Sequence, residues 1–396
     1  METEKYVIRG FKASALSAGL KKDGGLDLAL IASEAESAAA GVFTANKVKA
    51  APVILSREHI GDGKARGVIA NAGNANACTG EAGLGDARRT ADLVARELGV
   101  LSEEVLVAST GVIGQALNMD VIEGAIPDLA TALSPDGIPL AAQAIMTTDS
   151  FPKIAHFDGD VRGRPYRILG LAKGAGMIMP QMATMLCFVL TDILIDADDL
   201  REALVSSVEK TFNRITVDGD TSTNDMVLAL ANGLAGNKAL SQKEYKGFTN
   251  GLERVMGELA RMIVQDGEGA TKVVYVRVKG AANGPDALRA ARTVANSNLV
   301  KTAFCGQDPN WGRIMAALGR AEIAMKEESV DIWIDGVQIV KGGLGKGAQA
   351  EAEAAKRMAL SEFILEIDLH QGTFQDQVIT CDLTHDYITI NADYRT

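Results

Sequence analysis

The chain has 396 residues, of which 47% are hydrophobic and 23% charged, a composition typical of a globular protein with one large or two smaller domains. Its net charge of −11 argues against nucleic acid or an anionic membrane surface as the main partner, because both attract a basic face. No apolar run of the sequence approaches the roughly 20 residues of a membrane span. We therefore expect neither a nucleic-acid nor a membrane partner.

The cysteine pattern indicates a reducing environment. Cys78, Cys187, Cys305 and Cys381 are widely scattered and show no C-x-x-C spacing, so neither a disulfide framework nor a zinc site is expected. The first residues, "METEKYVIRGFKAS", lack the apolar centre of a secretion signal. We expect a cytoplasmic protein.

The first half of the chain alternates predicted strands and helices. Short strands are expected over the first 55 residues, then a buried strand over 67–71 and a small-residue loop, "NAGNANACTG". Helical spacing with a glycine stop predicts a helix over 85–99. "EEVLVASTGVIG" predicts a strand ending in a Thr-Gly turn, with two helices after it. A hairpin turning near residues 160–164 then leads into the glycine-rich "LAKGAG".

The second half opens with "ATMLCFVLTDILI", whose near-continuous apolar character predicts a central strand. An amphipathic helix, "ADDLREALVSSVEKTFNRI", follows, and "STNDMVLALANG" is predicted to begin another. "TKVVYVRVKG" predicts an alternating strand, residues 286–306 a helix, and "VDIWIDGVQIVKGG" a hairpin. The last predicted elements are the helix "GAQAEAEAAKRMALSEF" and closing strands in "FILEIDLHQG" and "HDYITINADYRT". The whole pattern predicts one compact, two-lobed α/β unit.

Two loops have the composition of ion-binding sites. "GGLGKGAQAE" (342–351) resembles a phosphate loop ahead of a helix, but it follows a hairpin, so structural glycines explain it more simply. "TVDGDTSTNDM" (216–226) groups Asp218, Asp220 and Asp225, which could bind Mg²⁺ or act as in aspartyl-phosphate phosphatases. Turn and capping roles explain those aspartates more simply, and no metal site is predicted.

No nucleophile with a histidine base is indicated. His59, His156, His370 and His385 lie in unrelated local settings without metal spacing, and no G-x-S-x-G motif is present in the sequence. A nucleophile in this chain therefore needs another base.

Thr184 offers a different solution. A threonine that begins a chain can use its own α-amine, with a pKa of about 7.7–8.0, as the base for its hydroxyl. Creating that amine requires a cut after Ala183, and the glycines of "KGAG" would permit the strained backbone that such a cut needs. From the chemistry alone, an ordinary buried strand threonine remains the alternative.

The segment around Thr184, "KGAGMIMPQMATMLCFVLTD", resembles the processing segment of the ornithine acetyltransferases, the bifunctional glutamate N-acetyltransferases of arginine biosynthesis. Other stretches match this family in order along the whole chain: "GFKASALSAGLK", "DLALI", "VFTANKVKAAPV", "NAGNANACTG", "ASTGVIG", "MTTDS", "VDGDTSTNDM", "DGEGATK", "VANSNLVKTAFCGQDPNWGRI" and "NADYRT". Long, ordered matches of this kind are specific to a family.

The resemblance implies a fold and a processing step. The expected fold is a layered α/β/β/α arrangement, as in the self-cleaving DmpA-type aminopeptidases, with the logic of N-terminal nucleophile hydrolases. The precursor would cut itself between Ala183 and Thr184 into an α chain, residues 1–183, and a β chain, residues 184–396. The two chains would stay associated, with an α2β2 heterotetramer expected.

The resemblance also implies the reaction. Thr184 would take acetyl from N-acetylornithine, release ornithine, and pass the acetyl to the amine of glutamate. Some family members also use acetyl-CoA as the donor, and no metal or organic cofactor is required. The family's oxyanion-stabilising pair corresponds to Thr110 and Gly111, which suits a hydroxyl and an unobstructed amide at a strand end.

The substrate contacts implied by the family fall on six residues: Thr147, Lys173, Thr184, Glu268, Asn391 and Thr396. An ammonium group such as that of Lys173 suits an α-carboxylate, and Glu268 could attract the side-chain ammonium of ornithine.

Three alternatives stay open. An N-terminal nucleophile aminopeptidase or amidase would transfer the acyl group to water. A magnesium phosphatase would use Asp218 and Asp220. A non-catalytic scaffold would remain an uncut chain of 41.6 kDa.

Overall fold

The computed structural model describes residues 4–179 and 185–392, and the chain divides into two units. The larger unit takes in the chain up to Met177, the segment that ends at Asn213, and Asp220–Ile263. The smaller unit takes in Ile178, Arg214–Gly219 and the chain from Val264 onward. Within the described ranges, no helix has the length and apolar character needed to cross a membrane.

The larger unit is built on one extended network of strands with helices outside it. The strands are β1 (Phe11–Leu16), β2 (Leu28–Phe43), β3 (Lys64–Asn74), β4 (Val105–Val112), β5 (Lys153–Val161), β6 (Arg164–Lys173), β7 (Leu186–Thr191) and β8 (Met226–Ala231). The helices are α1 (Ala51–His59), α2 (Gly80–Leu98), α3 (Met119–Thr131), α4 (Ile138–Ala144), α5 (Ala197–Lys210) and α6 (Gln242–Gln265). The strand order is β4-β3-β2-β8-β7-β6-β5, and β1 also pairs with β2.

The long strand β2 belongs to two sheet layers. Its residues 28–33 pair with β1 and its residues 38–43 pair with β8, so both partners lie along the same edge of β2. A shift in register against β3, between Ala32 and Ser37, separates the two parts. One hydrophobic cluster gathers buried side chains from β3 and β4 and from β6, β7 and β8, and it fills the space between the layers.

Helices cover the outer faces of both layers. Leu28 and Leu30 of β2 pack with buried residues of α1, α2 and α3 in a second cluster. On the other layer α5 packs against β2, and α6 lies so close to β6 that a Cβ at Gly170 would come within 2.7 Å of Leu259 Cδ1. The predicted α/β/β/α layering is therefore confirmed.

The predicted central strand is β7. All of its residues are buried, and it pairs antiparallel with β6 and parallel with β8. Because both faces of such a strand are covered, its sequence can be apolar at every position.

The smaller unit has a sheet of its own, with helices packed against it. Its elements are β9 (Val273–Ala281), α7 (Gly284–Ala295), α8 (Asn298–Cys305), α9 (Trp311–Gly319), β10 (Asp331–Ile334), β11 (Val337–Lys341), β12 (Leu344–Gly345), α10 (Ala348–Met358), β13 (Glu362–Asp368), β14 (Phe374–Cys381) and α11 (His385–Ala392). The strand order is β12-β11-β10-β13-β9-β14. One core cluster joins the inner face of these strands to α7, α8, α9 and α10.

Four predicted elements were wrong. "STNDMVLALANG" contains strand β8, whose six residues are all buried, because an apolar run that short offers no polar helix face. The predicted strand in "HDYITINADYRT" is helix α11, which buries none of its described residues. "APVIL" begins helix α1. Pro52 lies in the first turn, where a backbone N–H has no hydrogen-bond partner within the helix, so its absence in proline costs nothing. The single helix over 286–306 is two, α7 and α8.

Candidate functional site

Thr110 is the last buried residue of β4, and the half-buried Gly111 follows it, beside the end of β3. Thr110 is buried, and Gly111 pairs with Gly73 in the parallel register of the two strands. Gly111 has a φ of +133°, and a Cβ there would lie 2.3 Å from the carbonyl carbon of Gly73. Only glycine allows the two strands to run this close in this conformation.

Lys173, the last residue of β6, is buried and points toward two hydroxyl groups. Its Nζ donates to Thr147 Oγ1 at 2.6 Å and to Thr110 Oγ1 at 3.5 Å. The larger unit therefore brings together three of the predicted site residues, which are far apart in sequence.

Asp149 organises this group, and the sequence analysis gave it no role. Its Oδ2 lies 3.6 Å from Lys173 Nζ and accepts from the Thr147 backbone at 3.0 Å. Its Oδ1 accepts from Lys153 Nζ at 2.7 Å and from the Gly174 backbone at 2.6 Å. The aspartate therefore fixes the backbone on both sides of the Lys173–Thr147 contact. Its only sequence signal was its presence in the matched "MTTDS".

The charge state of Asp149 follows from its two lysine neighbours. Burial alone would raise the pKa of this carboxyl group, but Lys173, Lys153 and the hydrogen bonds outweigh burial and hold the pKa well below its ordinary value. Asp149 is therefore a buried carboxylate between two ammonium groups.

Asp225, from the acidic loop, is a second buried carboxyl group with the opposite character. Its Oδ1 accepts from the Met185 backbone at 2.9 Å, and its Oδ2 has no hydrogen-bond partner among the described residues. Complete burial raises its pKa well above the ordinary value, although Met185, Lys173 and Ser222 act in the other direction. The Met185 nitrogen belongs to the peptide bond that follows Thr184, so this side chain holds the first peptide group after the predicted nucleophile.

A buried amide network fixes the ends of β3 and β4. Asn224 Nδ2 donates to the carbonyl oxygens of Ala75 at 2.6 Å and Ser109 at 2.8 Å. Ser109 Oγ donates to Asn71 Oδ1 at 2.6 Å. The contact with Ser109 explains Asn71, the first asparagine of "NAGNANACTG", a segment that the sequence predicts only as a loop.

The smaller unit brings together two more of the predicted substrate-binding residues. Asn391, on α11, donates through Nδ2 to Glu268 Oε2 at 2.7 Å. On the same helix, the hydroxyl group of Tyr387 donates to Asp218 Oδ2 at 3.2 Å, and the Ile178 backbone donates to Asp218 Oδ1 at 2.9 Å. Asp218 is therefore engaged in hydrogen bonds that stabilise local backbone.

The remaining predicted site residues, Ala183, Thr184 and Thr396, lie outside the described residues. Among the side chains that the structure describes, no cluster of three or more histidine, cysteine, aspartate or glutamate residues could hold a metal ion.

The chain is a layered α/β/β/α protein with a buried lysine and a hydroxyl group at strand ends and a second hydroxyl group, that of Thr147, in a nearby loop. Comparison with known proteins shows which family has these features. The ArgJ family profile matches residues 12–396. The chain belongs to the ArgJ family, and its predicted resemblance to the ornithine acetyltransferases is confirmed.

Relatives of known name agree over the full length. The chain is 51% identical to the arginine biosynthesis bifunctional protein ArgJ of Geobacter sulfurreducens, covering 98% of this chain and 100% of the relative. It is 45% identical to the glutamate N-acetyltransferase of Methanocaldococcus jannaschii, covering 98% and 97% respectively. The crystal structure of arginine biosynthesis bifunctional protein argJ from Bacillus halodurans is 42% identical with a TM-score of 0.50, and covers 52% of this chain and 97% of that chain.

Proposed function

We propose that the protein transfers acetyl from N-acetylornithine to glutamate through an acetyl ester on Thr184. As a member of the ArgJ family it is an acyltransferase of arginine biosynthesis, and its relatives carry the names bifunctional protein and glutamate N-acetyltransferase. The observation that carries the proposal is the convergence of Lys173, Thr110 and Thr147, because it joins a cation to hydroxyl donors in a buried place.

The nucleophile arises by self-cleavage. Thr184 Oγ attacks the carbonyl carbon of Ala183, the peptide nitrogen leaves as the free α-amine of Thr184, and water hydrolyses the resulting ester. The products are the chains 1–183 and 184–396. In support, the Bacillus halodurans chain is about half as long as this one, since 97% of it matches 52% of this chain.

Acetyl transfer then takes place in two half-reactions. The α-amine accepts the proton of Thr184 Oγ as the oxygen attacks the acetyl carbonyl, and the amine of ornithine leaves with that proton. The amine of glutamate attacks the ester, gives N-acetylglutamate and restores the hydroxyl. Thr110 and the amide of Gly111 stabilise the negative charge that develops on the acetyl oxygen in both halves.

The other predicted residues bind substrate. Lys173 attracts the α-carboxylate that ornithine and glutamate derivatives share, and Thr147 donates beside it. Glu268 attracts the side-chain ammonium of ornithine, and Asn391 orients the carboxylate of Glu268. Thr396 completes the group as the family resemblance implies.

Three further properties belong to the proposal. The bifunctional name of the relatives supports acetyl-CoA as a second donor, which would make the protein an amino-acid N-acetyltransferase as well. The two chains of the cleaved precursor assemble as an α2β2 heterotetramer. The protein works in the cytoplasm, without a metal or organic cofactor.

Intact-mass analysis tests the nucleophile. The wild-type protein should give two fragments that meet at Ala183–Thr184, and Thr184→Ala should give one chain of 41.6 kDa without transferase activity. Thr191→Ala, which changes a buried threonine at the end of β7, is the matched control and should be cut normally. An active, uncut wild-type protein would disprove the mechanism.

Product analysis separates acetyl transfer from its rivals. With N-acetylornithine and glutamate, we expect N-acetylglutamate and ornithine in equal amounts, unaffected by EDTA. Acetate as the only acyl product would instead indicate an amidase, and acetyl transfer that EDTA does not affect would exclude the magnesium phosphatase based on Asp218 and Asp220.

A further inference from the structure

Lys153, the first residue of β5, is a completely buried lysine that the proposed reaction does not use. Its side chain and that of Asp149 are both 0% exposed and form an ion pair of 2.7 Å. Its Nζ also lies 5.0 Å from the centre of the Phe151 ring. Burying an ion pair gains little stability over apolar side chains of similar volume, so this pair calls for another explanation.

The positions of the two lysines around Asp149 supply that explanation. Lys153 occupies Oδ1 at hydrogen-bonding distance, whereas Lys173 stands 3.6 Å from Oδ2 and makes its short contact, 2.6 Å, with Thr147. Lys153 thus makes the shorter, hydrogen-bonded contact with the carboxylate, and Lys173 adds a longer-range attraction to it. Without Lys153, Lys173 would be the nearest cation to Asp149, and the pair would carry no net charge.

A third lysine, Lys21, lies near enough to interact electrostatically with both Lys173 and Asp149. Burial lowers the pKa of Lys21, and Lys173 adds to that effect, while Asp23 and Asp27 oppose it. The Lys21 ammonium donates to the carbonyl oxygens of Leu26 at 2.6 Å and Ala144 at 3.2 Å.

We propose that Lys153 is a positioning residue that neutralises Asp149 and so leaves the charge of Lys173 available for the carboxylate of the substrate. This inference rests on the proposed function for the chemical class of its ligand, an α-amino acid derivative. It assigns Lys153 no contact with substrate. Lys153 acts through Asp149.

The inference predicts an effect on binding more than on chemistry. Lys153→Met keeps most of the side-chain length and removes the charge, so Asp149 should draw Lys173 into a neutral pair. We expect the KM for both N-acetylornithine and glutamate to rise about tenfold or more, which corresponds to about 1.4 kcal/mol. The kcat should change less than about threefold, because the nucleophile is untouched.

A charge-compensating double variant provides the decisive test. Asp149→Asn combined with Lys153→Met removes one charge of each sign, so Lys173 keeps its positive charge, and Asn can still accept one backbone hydrogen bond. We expect both KM values to return to within about threefold of wild type. If the pair served structure alone, the double variant would bind substrate no better than Lys153→Met, and that result would overturn the inference.

A matched control separates electrostatics from folding. Lys301 is also a buried lysine, and its ammonium donates to Thr380 Oγ1 at 3.0 Å and to the Cys381 carbonyl oxygen in the smaller unit. Lys301→Met should lower the Tm and leave both KM values unchanged. An unchanged KM in Lys153→Met, in a protein that is folded by its melting curve, would also contradict the inference.

Calorimetry separates failure of this inference from failure of the proposed function. The affinity for glutamate is measured for the wild type and each variant, whether or not acetyl transfer occurs. Weaker binding in Lys153→Met with recovery in the double variant supports Lys153 even if the acetyl acceptor proves different. Failure of the proposed function itself is reported by the wild-type products and by Thr184→Ala.

Discussion

Asp149 and Asp225 are two buried carboxyl groups of the same unit whose pKa values shift in opposite directions. Asp149 has two ammonium neighbours, and its pKa is lowered despite burial. Asp225 has Lys173 only as a weaker influence, and its pKa is raised by burial. A sequence does not reveal this difference, because both residues sit among threonines and serines in polar loops. The number of ammonium groups packed against each carboxyl group decides the direction of its pKa shift.

The raised pKa of Asp225 predicts a pH-dependent stability. Because the folded state holds this proton more tightly than the unfolded state, stability falls as the pH rises above the ordinary value of 3.8 and through the raised pKa. Asp225→Asn removes the titration and keeps an acceptor for Met185. Its Tm should exceed that of the parent by about 1–4 °C at pH 8 and match it near pH 3.

This comparison is best made by melting curves in a Thr184→Ala background, where every variant is a single chain. Asp136→Asn, at an exposed position, is the control and should leave the pH dependence unchanged. A lower Tm for Asp225→Asn at pH 8 would show that the folded protein depends on the ionised carboxylate.

At the scale of elements, the amide network links the start of β8 to the ends of β3 and β4, close to Thr110. Asn224 precedes β8 and bonds to carbonyl oxygens that follow β3 and lie within β4. Asn224→Ala removes both bonds, each worth about 1 kcal/mol. We expect a lower Tm together with a roughly tenfold lower kcat, because the strand ends that carry Thr110 and Gly111 lose their fixed spacing.

Asn237→Ala is the matched control for this variant. Asn237 is equally buried and donates to the carbonyl oxygens of Leu194 and Lys238, each at 3.0 Å. Steady-state kinetics below the melting temperature should show an unchanged kcat despite a comparable loss of Tm. Equal losses of kcat in both variants would mean that the network contributes only to stability.

Hydrophobic periodicity predicted the long helices and strands correctly. It failed for short segments, where pairing with neighbouring strands determines whether the segment is a helix or a strand. Helices such as α2 and α6 have enough turns to display an apolar face, and β7 has too many apolar residues for an exposed element. The six residues of β8 are all apolar and too few to show either period, and only their pairing with β7 and β2 makes them a strand. The approach of Lys173 to Thr147 depends on such pairings, so its geometry was beyond the sequence.

At the scale of the whole molecule, the predicted cut falls between two neighbouring strands of one layer. β6 precedes Ala183, and its partner β7 follows Ala183, as does β8, which pairs with β7 and with β2. The cleaved protein should therefore elute as one species in size-exclusion chromatography and separate into two bands only after denaturation. Elution of the fragments at separate volumes in native buffer would contradict this expectation.

The interleaved order β2-β8-β7-β6 also sets a sequence of events. Two strands from the carboxy-terminal side lie between strands from the amino-terminal side, so the continuous precursor can fold as a unimolecular process, whereas separate pieces would first have to meet. We therefore expect the proposed cut to come after folding. After the proposed cut, the hydrogen bonds of β7 with β6 and of β8 with β2 would hold the two chains together in place of the lost covalent link.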